Sequence, residues 1–227
     1  MKYIIIGIGN FGLALSEKLM LLGHEVVAVD KRMEKVDSIK DRVTLALAMD
    51  TTDKSAVESL PLRDADVVIV AIGEEEGPSL LTVAIMKELQ VKRIVARTLS
   101  PVHSTILHAM GVQEIINPEE EAADRLARRL IIKGVIDSFY LSDRFNIVEI
   151  KVPEKYIGKT LHDIDVRHNH RVLVLTIIRY KKFRGALGGE SVKRSVLGVV
   201  DIQTVLEEDD ILVMFGDMKH ISQFGVS

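Results

Sequence analysis

Apolar residues in the first half of the chain alternate between two patterns. Short, nearly continuous runs occur at Tyr3–Ile6, Val26–Val29, Val43–Ala48, within Asp66–Gly73 (DVVIVAIG), at Arg93–Thr98 and at Glu114–Ile116. Runs of this kind predict strands buried on both faces of a parallel sheet. Between them lie helically spaced stretches: Phe11–Leu22, Met33–Lys40, Pro78–Leu89 and Val102–Met110. Strand–helix alternation of this sort predicts a doubly wound α/β domain with right-handed crossovers, here over residues 1–117. The following stretch, 118–142, predicts one helix. Pro118 suits its first turn, and Glu119, Glu120 and Glu121 suit the positive end of its dipole. From Leu130 the apolar positions Ile131, Ile132, Val135, Ile136, Phe139 and Tyr140 cover most of a helical circumference. A helix of that character needs cover, either from another subunit or from the chain's own second domain. From Asn146 the pattern changes to short β segments: NIVEIKV, VLVLTIIR (Val172–Arg179), VLGVV after a polar loop, and ILVMFG (Ile211–Gly216). A short helix is expected near Gly158–Ile164. Residues 143–227 therefore predict a small α+β domain.

Composition narrows the function. The chain has 227 residues, 47% of them hydrophobic, with a net charge of −3, 4% aromatic residues and no tryptophan. A globular protein is expected, without the basic, aromatic surface that marks nucleic-acid binders. With no cysteine there is neither a disulfide framework nor thiolate chemistry, which suits a cytoplasmic setting. The N-terminal apolar run is broken by glycines and reads as the first strand, not as a signal peptide. The longest charge-free stretch, Tyr3–Ser16, is too short to cross a bilayer, so membrane association is expected only through a partner.

The candidate chemistry lies at the start. GIGNFG (Gly7–Gly12) joins the first strand to the first helix, and Asp30 ends the second strand. Gly7 serves the tight turn, Gly9 the approach of a pyrophosphate, and Gly12 the close packing of helix on strand. Helix amides then face the phosphates, with Asn10 beside them, while Phe11 reads as packing. A carboxylate about 20 residues beyond the turn is placed to accept hydrogen bonds from a ribose diol, and Lys31 follows it. An acid there favours NAD(H) or another adenine nucleotide over NADP(H). Asp50 and Thr51 follow the third strand on the adenine side. Ala71, Ile72 and Gly73 follow the fourth, under ribose and phosphates. Arg97 ends the fifth, where it either meets the ligand or makes a surface salt bridge. The histidines show no metal-ligand spacing. His168 and His170 read as an exposed turn, and Arg179, Lys181, Lys182 and Arg184 as a solvated hairpin tip.

End to end, the chain resembles the regulator of potassium conductance (RCK) family, the cytosolic subunits of Trk and Ktr potassium uptake systems. GIGNFG, GHEVVAVD (Gly23–Asp30), MDTTD (Met49–Asp53), VVIVAIG (Val67–Gly73) and SLLTVAIMKEL (Ser79–Leu89) carry the likeness. So do GVQEIINPEEEAADRLA (Gly111–Ala127), IGKTLHDIDVR (Ile157–Arg167) and LEEDDILVMFG (Leu206–Gly216). The resemblance implies a Rossmann-like N-terminal domain that binds NAD(H), ATP or ADP, a crossover helix (118–142) that pairs subunits, and a C-terminal ligand-binding domain. It further implies an octameric ring, peripheral on the inner face of the cell membrane, that gates a potassium channel subunit as ligands exchange. Glu119 resembles the family's acid after the Asn-Pro turn, which reaches a neighbouring subunit's nucleotide through a divalent cation. Its alternative is compensation of the helix dipole. The chain departs from the family at Asp209, where glycine is usual and a left-handed turn is implied. It reads VVDIQT where prolines that help bind cyclic di-AMP often stand. The competing class is an NAD-dependent oxidoreductase. No Ser-Tyr-Lys or His-Asp constellation follows the nucleotide-binding domain to serve one, so the expectation is a sensor and not an enzyme.

Overall fold

A computed structural model describes residues 1–131, 134–184 and 190–226. It divides into two compact units, Met1–Glu119 and Glu120–Ser227. In the first, the strands are β1 (Lys2–Ile6), β2 (Glu25–Asp30), β3 (Leu45–Ala48), β4 (Val67–Val70), β5 (Ile94–Arg97) and β6 (Glu114–Ile116). The helices between them are α1 (Asn10–Leu21), α2 (Met33–Ile39), α3 (Lys54–Val57), α4 (Glu76–Glu88) and α5 (Pro101–Ala109). All six strands pair in parallel, in the order β3-β2-β1-β4-β5-β6.

The continuous apolar runs have their explanation in this sheet, because successive side chains of a strand go to opposite faces. Ile4, Ile6, Val27, Val29, Val68 and Val70 enter the core on one side. Ile5, Val26, Ala28, Val67 and Ile69 enter the core on the other. The chain builds outward from β1 in one direction through β3, then restarts at β4 in the other. A crevice opens at the carboxyl ends of β1 and β4, where that reversal occurs.

The second unit begins within α6 (Pro118–Ile131) and continues through β7 (Val135–Tyr140), β8 (Phe145–Lys151), α7 (Leu161–Ile164) and α8 (Val166–His170). It ends with β9 (Val172–Arg184), β10 (Glu190–Val196), β11 (Ile211–Asp217) and α9 (Met218–Val226). Its five-stranded antiparallel sheet has the order β10-β9-β11-β8-β7. Val148 and Ile150 of β8, Leu212 and Met214 of β11, and Ile221 and Phe224 of α9 share one core.

Four sequence expectations change here. The helix expected over 118–142 does not reach 142: it is described as far as Ile131, and 135–140 is the edge strand β7. Gly134 adopts φ +84°, a left-handed conformation that ends helices, and the β-branched and aromatic residues beyond it pair with β8. Ile132 lies outside the described residues. Val135–Tyr140 therefore contribute no helical apolar face, and the described side chains of α6 from Glu119 on are exposed. Second, the polar stretch from Lys181 is largely ladder: β9 runs on to Arg184 and pairs with β10, with 185–189 outside the described residues. Only Val196 of VLGVV lies in a strand. Third, Asp209 does not take the left-handed turn. The described non-glycine residues with positive φ are Gln90, Asp165 and Arg171. Fourth, His170 is not part of an exposed turn. It ends α8 and pairs through Nε2 with the Tyr156 hydroxyl at 2.8 Å. No described helix is long and apolar enough to cross a membrane.

Candidate functional site

The crevice at the carboxyl edge of the parallel sheet is a cleft of about 350 Å³. Gly7, Gly9, Asn10, Phe11, Asp30, Lys31, Asp50, Thr51, Ala71, Ile72, Gly73, Arg97 and Glu119 all line it. Gly12 does not, and its role is in packing.

Each glycine has a separate cause. Gly7 has φ +100°, its amide donates to Val29 O at 2.7 Å, and a Cβ there would lie 2.9 Å from the Ile72 amide nitrogen. A Cβ on Gly12 would fall 2.0 Å from the Gly7 carbonyl oxygen, so α1 rests directly on the turn. Gly9 is different: a Cβ on it would meet nothing within 4 Å. No packing among the described residues requires glycine there, and the missing side chain leaves that part of the cleft open. Gly9 is also the N-cap of α1, and no side chain caps that helix or places an acid in its first turn. The uncapped amides and the positive end of the dipole make the α1 N-terminus a site for an anion. Phe11, as expected, packs against the core that holds Ile5 and Val26.

Asp30 is 6% exposed and highly engaged. Its Oδ2 accepts from the Ile8 amide at 2.8 Å, and its Oδ1 from the Arg32 amide at 3.0 Å and from Arg32 Nε at 3.2 Å. Burial alone would raise its pKa, but these hydrogen bonds and the adjacent guanidinium outweigh it and hold the carboxyl below its usual range. Arg32 Nη1 continues to Glu74, at 2.9 and 3.1 Å from its two oxygens, and Lys31 lies 3.8 Å from Glu75. The loops after β2 and β4 thus meet through opposite charges at the rim. Arg32, Lys35, Glu74 and Glu75 were not singled out from the sequence. The Lys-Arg pair directly after the acid and the Glu74–Glu76 run directly after Gly73 were the available signals.

At the β3 end of the cleft, Asp50 accepts from the Thr52 hydroxyl at 2.7 Å and amide at 2.9 Å, and these bonds lower its pKa. Thr51 is buried with its hydroxyl 2.9 Å from that of Thr82, which ties the β3 loop to α4. At the other end of the cleft, the Arg97 guanidinium lies over Gly73, where a Cβ would be 2.1 Å from Nη1. One of its nitrogens pairs with Glu119, while its buried Nε has no hydrogen-bond partner. Among the described residues no group of three or more His, Asp or Glu is arranged to hold a metal ion.

A glycine turn on an uncapped helix, an acid at the end of β2 and the 3-2-1-4-5-6 sheet are shared by enzymes and sensors alike. Sequence relatives decide between them. The TrkA-N domain model matches residues 3–118. The Ktr system potassium uptake protein C of Bacillus subtilis (strain 168) is 33% identical over 98% of this chain and 95% of its own length. The chain belongs to the TrkA-N (RCK) family of potassium uptake regulators. Ktr system potassium uptake protein A of Vibrio alginolyticus is 30% identical over 97% of this chain and 94% of its own. Family members are regulatory, not catalytic, and the oxidoreductase alternative falls with that assignment. The fold agrees: the GsuK channel bound to NAD superposes over 98% of this chain and 38% of its own, with a TM-score of 0.62 at 18% identity.

Proposed function

We propose that this chain is the nucleotide-sensing subunit of a Ktr-type potassium uptake system, at the cytoplasmic face of the membrane. Occupancy of its cleft by NAD(H), ATP or ADP sets the state of a membrane potassium channel subunit. The observation that carries this reading is the open space at Gly9 on the uncapped N-terminus of α1, in a cleft that the Asp30 carboxylate also lines. Uncapped helix amides attract an anion, and a carboxylate at the end of the second strand is of the kind that binds a ribose diol. The names of the relatives, potassium uptake proteins and an NAD-bound channel, support the same direction.

Assembly into dimers and an octameric ring is part of the proposal. It rests on α6, whose Leu126 and Leu130 are exposed on a strongly amphipathic helix with no cover from the described residues. A divalent cation at Glu119 would have to displace Arg97 first. The nucleotide must also bind the open and closed assemblies with different affinity, since equal affinity shifts nothing.

Thermal unfolding of the full chain with ADP, ATP or NADH tests the ligand class. A ligand at a hundred times its Kd stabilises the folded state by about 2.7 kcal/mol, a readily measured rise in Tm. Absence of a shift with all three at millimolar concentration overturns the reading. Co-purification with a membrane potassium channel subunit tests the partner.

A further inference from the structure

The acid that identifies the ribose end of the cleft is not free to hold a ribose in the usual way. A carboxylate offers about four lone-pair positions. On Asp30, the Ile8 amide takes one on Oδ2, and the Arg32 amide and Arg32 Nε take both on Oδ1. A vicinal diol binds most strongly when its two hydroxyls reach the two oxygens together, and here Oδ1 is full. The two amides are fixed by the backbone, one in the turn after β1 and one in the loop after β2. The guanidinium is the only displaceable donor, and it is held from its far side by both oxygens of Glu74.

Resting on the nucleotide reading above, we propose that Arg32 is a specificity-determining residue that competes with the ribose diol for Asp30, with Glu74 as its anchor. In the native chain a nucleotide engages Asp30 through one hydroxyl at the single open position on Oδ2, which the 3′-hydroxyl can fill when the 2′-hydroxyl is missing, so discrimination between a ribose and a deoxyribose is weak. Full capture of the diol requires Arg32 to leave. The rim around it is charge-balanced, with Lys31 and Arg32 facing Glu75 and Glu74, so no excess positive charge draws a phosphate to this end. Arg32 acts as a brake on ribose recognition and not as a phosphate ligand.

Calorimetric titration of the full chain with ADP and with 2′-deoxy-ADP tests this, because the ratio of the two affinities cancels any general effect of removing a positive charge. Native protein is expected to bind both within about twofold. Arg32→Ala, which keeps the backbone amide, is expected to raise that ratio about tenfold or more in favour of ADP, the worth of one further hydrogen bond to a charged acceptor. Glu74→Gln loosens the anchor and is expected to move the ratio the same way by less. An unchanged ratio in Arg32→Ala overturns the proposal, as does equal weakening of both ligands, which would make Arg32 a phosphate contact. Absence of binding by either ligand to native protein and both variants removes the nucleotide reading itself, a distinct outcome.

Discussion

The two units use polar groups for opposite purposes. In the parallel unit both faces of the sheet are apolar, and charged groups gather at the carboxyl edge, where they line an open cleft. In the antiparallel unit a charge is sealed inside. Asp210 is fully buried, accepts from Arg179 Nε and Nη2 at 2.8 and 2.7 Å and from the Glu207 amide at 2.9 Å, and Arg179 also donates to Val205 O and pairs with Glu207. Together these bonds hold the loop before β11 onto β9. Charged groups at an open edge can meet an occupant, whereas a fully buried carboxylate held by a guanidinium is a structural fastening.

The largest expected break in this contrast comes from two glycines close together in sequence. Gly12→Val places a Cβ on the Gly7 carbonyl oxygen, where neither backbone can yield, and should cost about 4 kcal/mol or more of the N-terminal unit's stability. Gly9→Ala adds the same atom in open space at an ordinary φ of −79° and should change stability by less than about 0.5 kcal/mol. It should nevertheless weaken nucleotide binding. Urea denaturation and nucleotide titration of the two variants separate packing from reception. Equal stability loss in both would erase the distinction.

Next in size is Asp210→Ala, which leaves the Arg179 guanidinium and the Glu207 amide without their acceptor. Removal of one member of a buried pair costs roughly 3–5 kcal/mol. The loss should appear in denaturant unfolding of the C-terminal unit, with nucleotide-dependent stabilisation of the other unit retained.

The same contrast explains what the sequence disclosed. Each strand of the first unit is a short apolar run followed by its own helix, and the site residues fall at strand ends, so local patterns locate both fold and cleft. Gly7, Asp30, Asp50, Gly73 and Arg97 were all found this way. Arg32 was not, because its significance lies in reaching Glu74 across the cleft, a contact between loops far apart in sequence. The second unit joins strands in the order β10-β9-β11-β8-β7, where pairing is non-local and no run declares its neighbour. Arg179 looked like part of a basic hairpin tip because nothing in its surroundings in sequence points to Asp210. Gly134 was the one local signal that α6 ends, and it was outweighed by the apolar residues that follow. The amphipathic α9, with Ile221 and Phe224 in the core, was likewise not anticipated.

The smallest effect concerns protons. His170 Nε2 lies 2.8 Å from the Tyr156 hydroxyl, and its ring packs edge-on against Phe224 of α9. Burial, with Lys155 nearby, pushes its pKa below the ordinary histidine value. The sign follows: folding favours the neutral ring, so its stabilisation is complete above the unfolded value of about 6.5 and is lost as pH falls through the lower folded value. His103 in the first unit is also depressed by burial, partly opposed by Glu76, so an acid-side slope is expected from both units. His170→Gln should flatten only the C-terminal unit's share. Tyr156→Phe should cost that unit about 1 kcal/mol near neutral pH. Unfolding of the two variants measured between pH 5 and 8, with the imidazole resonances followed by NMR, tests the assignment. A His170 midpoint at or above the unfolded value would mean that the contact with Tyr156 serves the charged ring and that the acid-side loss arises elsewhere.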